Sequence, residues 1–196
     1  YSVEEGLPQS QVYAMIQDSR GLLWLGTKGG GLSKFNGREF TTYTKEEGLS
    51  GDQVYSLFED NKHNIWIGTD NGVTHYNGIT FTKYPISNEY STLVSSIAQD
   101  NNGTLWATTP NAIYYLKNQQ WELFVSNNTE LNDNINCLFI DNDGVIWVGN
   151  DNGLFKIIDN YVTRYTTASG LSSNKISAIC KVDEILLVGT SGRGVN

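Results

Sequence analysis

Proline, methionine, histidine and cysteine are all scarce in this chain of 196 residues, at 3, 1, 2 and 2. The two cysteines, Cys137 and Cys180, lack metal-ligand spacing, which excludes a zinc site and a disulfide framework. Basic side chains are also in short supply, 13 against 21 acidic ones, for a net charge of −8. Such a field repels phosphate backbones, so nucleic acid is excluded as a partner. No run of 18 apolar residues occurs, and the opening stretch YSVEEGLPQS has neither the basic nor the apolar region of a signal peptide. No membrane contact is expected within this segment. What the chain does have is 20 glycines, 11 tyrosines, 7 phenylalanines and 5 tryptophans, a mix that favours twisted strands and tight turns.

The aromatic residues fall in register. Trp24, Trp66, Trp106 and Trp147 are 42, 40 and 41 residues apart, and Leu187 takes the same place 40 further on. A β-branched residue stands twelve positions before each Trp (Val12, Val54, Val94, Ile135), and Ile176 stands eleven before Leu187. Each should open a strand. Turns of the form Asp-x-x-Gly or a near variant follow (DSRG, DNKH, DNNG, DNDG), with Asp accepting backbone hydrogen bonds and Gly supplying the left-handed residue. The strand bearing the Trp comes next, then a third strand after a glycine turn. A fourth carries an aromatic pair three apart: Phe40 and Tyr43, Phe81 and Tyr84, Trp121 and Phe124, with Val162 and Tyr165 as the weaker copy.

Along the Trp strand both faces are apolar: Leu23 and Leu25 on one, Leu22, Trp24 and Gly26 on the other. A sheet of four short strands with two apolar faces cannot bury itself, so copies must stack. Radial stacking of such sheets gives an all-β fold, the β-propeller, built of four-stranded antiparallel blades of about 41 residues. The repeats span approximately residues 6–47, 48–87, 88–128 and 129–169, with a partial one at 170–196, in a single propeller segment covering 1–196. Trp24, Trp66, Trp106, Trp147 and Leu187 are then the structural core between blades. Cys137 and Cys180, which replace small or apolar residues of other repeats, read as buried free thiols. Tyr1 aligns with the end of a fourth strand and Asn196 with the start of a third, so the chain reads as a section of a larger propeller of about seven blades. Bare faces and edges of such a section favour self-association.

The stretch EGLPQSQVYAMIQDSRGLLWLGTKGGGLSKFNGREFTTY, echoed by EGLSGDQVYSLFEDNKHNIWIGTDNGVTHYNGITFTKY, closely resembles the two-component regulator propeller repeat. The resemblance runs along the whole chain. It departs from the pattern in the third repeat, where NEY stands for Gly-Leu and PNA for the glycine turn, and in the fifth, which lacks the Trp and the Asp turn. The family implies the extracytoplasmic, periplasmic sensor region of an inner-membrane hybrid histidine kinase of the Bacteroides type, responding to polysaccharide fragments.

Little in the chain speaks for catalysis or a cofactor. His63 and His75 occupy ordinary turn and strand positions, and DNDG at Asp141 lacks the alternating oxygen ligands of a calcium loop, so catalytic residues, metal sites and cofactors are each read as none. Positions that vary between repeats on one mouth of a propeller are better placed to recognise a ligand. Tyr13, Tyr55 and Asn136 follow the first β-branched residue of their repeats, and Lys28, Asp70 and Asp151 follow the Thr or Asn of the Trp strand. Tyrosine faces stack on sugar rings, and Asp, Asn and Lys bind hydroxyls or carboxylates, which suits a small polar ligand such as an oligosaccharide. The expected function is a non-catalytic sensor module. The rival readings are a propeller hydrolase or lyase, and a protein–protein interaction scaffold.

Overall fold

The computed structural model describes residues 2–86, 91–126, 128–159 and 161–196. Tyr1 and the NEY stretch at 88–90 lie outside them. Nineteen strands form five antiparallel sheets among the described residues. The first holds β1 (Val12–Gln17), β2 (Leu23–Thr27), β3 (Leu32–Phe35) and β4 (Phe40–Tyr43), in that order. The second repeats it with β5 (Val54–Glu59), β6 (Ile65–Thr69), β7 (Gly72–Tyr76) and β8 (Phe81–Tyr84). The third has β9 (Ser96–Gln99), β10 (Leu105–Thr109), β11 (Ala112–Lys117) and β12 (Gln120–Leu123). The fourth has β13 (Cys137–Ile140), β14 (Ile146–Gly149), β15 (Leu154–Ile158) and β16 (Tyr161–Tyr165). The fifth has three strands, β17 (Ile176–Val182), β18 (Ile185–Thr190) and β19 (Gly194–Val195). These are blades of a β-propeller. Compactness divides the chain into two units, Tyr1–Ile97 with Asn118–Trp121, and Ala98–Lys117 with Glu122–Asn196.

The first hairpin of each of the first four blades is closed by one carboxylate. In blade one, Asp18 Oδ1 accepts from the backbone N–H groups of Arg20 and Leu22 at 3.0 and 2.9 Å, while Oδ2 accepts the Trp24 indole N–H at 3.0 Å. Asp60 does the same for Lys62, Asn64 and Trp66, with the indole at 2.8 Å. Asp100 holds Asn102, Thr104 and Trp106, and Asp141 holds Asp143, Val145 and Trp147, each indole at 3.0 Å. The turn and the core tryptophan are thus one structure. Burial disfavours the charge at Asp18, Asp60 and Asp141, but the indole and backbone donors outweigh it and hold all three carboxyls below the ordinary aspartate range.

In unit one, blades one and two share a core of Trp24, Leu32, Leu49, Val54, Ile65, Ile67 and Tyr76. Val54, which opens the second blade, lies so close to Gly26 that a Cβ there would sit 2.5 Å from Val54 Cγ1. In unit two a Cβ on Gly149 would meet Ile176 Cγ2 at the same 2.5 Å. The glycine of Trp-x-Gly therefore admits the first residue of the following blade.

Three expectations need correction. Val94 and Ile135 do not open strands; β9 and β13 begin two residues later. Both side chains are buried, and their N–H groups are spent on the preceding blade, donating to Thr69 O at 2.9 Å and Pro110 O at 2.7 Å. Second, Trp24 and Trp66 are buried, but Trp106, Trp147 and Leu187 are only half-buried. Trp24 is covered from the next blade by the ring of Tyr76, 5.6 Å away, and lies in one core with Phe81. Blade four offers the smaller Ile157 and Val162 at the corresponding positions beside Trp106. Third, Cys180 is exposed, because its face of β17 has no sheet packed on it among the described residues. Cys137 is half-buried and free, its thiol pushed up to about 12 by burial.

Candidate functional site

A register slip places the proposed recognition residues. In blade one Val12 pairs with Thr27 and Ala14 with Gly26, leaving Tyr13 as an extra residue opposite no partner. The same slip leaves Tyr55 unpaired between Val54 and Ser56, and Ser177 between Ile176 and Ala178. In blade four Asn136 directly precedes the Cys137–Gly149 pair that begins the ladder. A β-bulge of this kind re-aims a side chain out of the sheet's alternation.

In unit one the bulges bring Tyr13 and Tyr55 together, their rings stacked at 5.1 Å with planes 12° apart. Tyr13 is 44% exposed. The Tyr55 hydroxyl donates to Gln53 Oε1 at 3.0 Å, and burial, with Tyr13 and Asp70 nearby, raises its phenol above the ordinary value. The turns after β2 and β6 reach the same place. Lys28 bridges Gln53 through the backbone, and Asp70 Oδ1 accepts the Gln53 N–H at 3.4 Å. Tyr13, Tyr55, Lys28 and Asp70 therefore gather around Gln53, a residue that the sequence pattern did not single out.

In unit two the corresponding pair is polar. Asn136 Nδ2 donates to Asp151 Oδ1 and to Ile176 O, both at 2.9 Å, and Lys175 Nζ reaches Asp151 Oδ2 at 3.0 Å. Those donors, Asn136 first, hold the Asp151 carboxyl below its ordinary value. Lys175 was also missed. Its signal is positional, since it occupies the loop entering β17 just as Gln53 occupies the loop entering β5.

Histidine chemistry has little support. The Ser19 hydroxyl lies 2.9 Å from His63 Nδ1 but donates to Glu59 Oε1 at 2.6 Å, and Glu59 approaches that same Nδ1 at 3.3 Å. A nucleophile relay needs the serine and the acid on opposite ring nitrogens, so this trio ties one turn to the neighbouring blade instead. His75 packs on Trp66 at 4.5 Å, and burial lowers its pKa. Asp141 has both oxygens committed to the hairpin.

Repeated four-stranded antiparallel blades, with a register slip at the start of the inner strand in blades one, two and five, define a β-propeller. The repeats belong to the two-component regulator propeller family, whose model matches residues 6–29, 48–71, 91–111 and 129–152. No curated protein sequence matches the chain. Among solved structures, the extracellular domain of a protein assigned as the hybrid two component system BT4673 from B. thetaiotaomicron is 24% identical, with a TM-score of 0.77 over 94% of this chain and 29% of its own. The extracellular domain of another so assigned, BT3049 from B. thetaiotaomicron, is 22% identical, with a TM-score of 0.63 over 100% of this chain and 34% of its own. Virginiamycin B lyase from Staphylococcus aureus is 16% identical, with a TM-score of 0.75 over 95% of this chain and 69% of its own. The chain thus spans about a third or less of the two-component structures. No helix among the described residues is long and apolar enough to cross a membrane.

Proposed function

We propose that this chain is part of the extracytoplasmic sensor region of a two-component signalling histidine kinase, and that it recognises a small polar ligand without transforming it. The observation that carries this reading is the gathering of variable residues on bulges and adjoining turns of a family-typical repeat, Tyr13, Tyr55, Lys28 and Asp70 in one unit and Asn136 and Asp151 in the other. The likeness to extracellular domains of two component systems supports the placement outside the cytoplasm. An oligosaccharide fits the first group, because the outer face of the Tyr13–Tyr55 stack offers a flat apolar surface beside an amide, an ammonium and a carboxylate.

Calorimetry of the chain against a panel of oligosaccharides, with product analysis of the same mixtures, tests this. Binding without consumption is the expected result. Turnover of any member would move the protein to the lyase reading, and unchanged binding in both Tyr13→Ala and Tyr55→Ala would remove this face from the site.

A further inference from the structure

A second cleft, remote in sequence from the bulge tyrosines and independent of the reading above, lies on blade three within unit two. Its volume is about 530 Å³, within the range of small-ligand sites, and it is lined by Thr104, Trp106, Tyr115, Leu123, Phe124 and Val125. The Trp106 ring centroid lies 5.6 Å from those of both Tyr115 and Phe124, with planes inclined by 45° and 66°, so the rings form a corner and not a flat wall. Their polar ends are already engaged elsewhere. The Trp106 N–H donates to Asp100 at 3.0 Å and the Tyr115 hydroxyl to Glu122 Oε2 at 2.7 Å. Apart from Thr104 and the Tyr115 hydroxyl, the lining side chains offer π surface and aliphatic carbon, beside polar surface of comparable extent.

Comparison between blades shows what this corner is short of. The residue paired with the Trp across the second and third strands is Lys34 in blade one and Lys156 in blade four. Their ammonium groups stand 5.9 and 5.4 Å from the indole centroids of Trp24 and Trp147. In blade three that partner is Tyr115, so another ring replaces the cation. The same indole environment that takes an internal cation in two blades is open to an external one here. Glu122, at the edge of the aromatic corner, is shared between the Tyr115 hydroxyl and the Lys117 ammonium 3.7 Å away, so the attraction for an external cation comes from the rings and from the chain's net charge of −8.

We propose that the Trp106–Tyr115–Phe124 cleft binds a methylated ammonium group, held by cation–π attraction and by apolar contact of its methyl groups with Leu123 and Val125. A hydrated ammonium ion would lose more water than the rings return, whereas a methylated one sheds little.

The probe is choline, titrated into the full 196-residue chain and followed by calorimetry and indole fluorescence. Saturable binding at one site is expected, with the uncharged isostere 3,3-dimethylbutan-1-ol weaker by about tenfold. Tyr115→Lys installs the residue that blades one and four already carry, so it should fold normally and weaken choline by about tenfold or more. Tyr13→Ala should leave choline binding unchanged, which separates this site from the bulge tyrosines. Sedimentation with phosphatidylcholine vesicles distinguishes a lipid headgroup from a free ligand of the same chemistry. Absence of saturation, equal affinity for the uncharged isostere, or a Tyr115→Lys variant that binds choline as the parent does would each overturn the proposal.

Discussion

The β1–β2 hairpin and the β17–β18 hairpin occupy the same place in their blades and are built by different means. In the first, five residues connect the strands, and Asp18 holds both the turn and the Trp24 indole. In the second, only Asp183 and Glu184 connect them, with Asp183 at φ 52°, and Leu187 stands where the Trp would be. The ladder is otherwise equivalent: Gly26 pairs with Ala14, and Gly189 with Ala178. An indole held by a turn carboxylate is present in four blades, whereas the acids of the fifth turn have no tryptophan on the next strand. The longer turn therefore serves to bring an acid to the tryptophan, since a two-residue turn suffices to reverse the chain.

Removing the indole should separate the two hairpins most. Trp24→Ala should cost about 3–5 kcal/mol, whereas Leu187→Ala, at a half-buried position, should cost about 1–2 kcal/mol. Urea unfolding of both variants checks this, and equal losses would mean that the fifth hairpin packs as the first does. Next in size is the acid. Asp60→Ala strips the acceptor from the Trp66 indole and from two backbone N–H groups, with an expected loss of about 2–4 kcal/mol. Combined with Trp66→Phe, it should show a coupling of at least about 1 kcal/mol, and additive losses would dissolve the unit into independent parts.

Acidity offers a third, smaller test. The Asp18, Asp60 and Asp141 carboxyls lie below the ordinary aspartate value of 3.8, so the unfolded chain takes up protons first as pH falls. Their contribution is complete above that value and is lost as pH drops through the lowered ones. The urea midpoint of the parent should therefore fall more steeply between about pH 5 and about pH 2 than that of Asp60→Asn, and parallel profiles would contradict the assignment. The smallest expected effect is at the lysine over the indole: Lys34→Met should cost about 0.5–1 kcal/mol by thermal unfolding, and a gain in stability would remove cation–π attraction from the blade.

Much of this architecture is legible in the sequence, for a physical reason. Trp spacing, the Asp turn and the Trp-x-Gly phrase are each repeated because every blade solves the same packing problem. The Asp–indole bond is not legible, since a separation of six along the chain gains meaning only when the hairpin has folded. Nor is the unequal burial of the tryptophans, which depends on what the next blade presents: Tyr76 and Phe81 beside Trp24, but Ile157 and Val162 beside Trp106. Of the candidate positions, the sequence singles out Tyr13, Tyr55, Asn136 and their turn partners by variation alone. Gln53 and Lys175 escape it because they meet the others through loops whose closeness only the register reveals.

The bulge that carries Tyr13 and Tyr55 has a bearing on how such a protein can change. A residue inside the ladder is bound by parity: its neighbours decide whether it faces core or water, and exchanging it disturbs a blade. The inserted residue is exempt from that parity. Ring and hydroxyl can be swapped there, as Tyr13, Tyr55 and Ser177 already illustrate, while the strands on either side keep their pairing. Blades one, two and five thus each carry one editable character in an otherwise fixed line of text, which can be changed without refolding the scaffold that displays it.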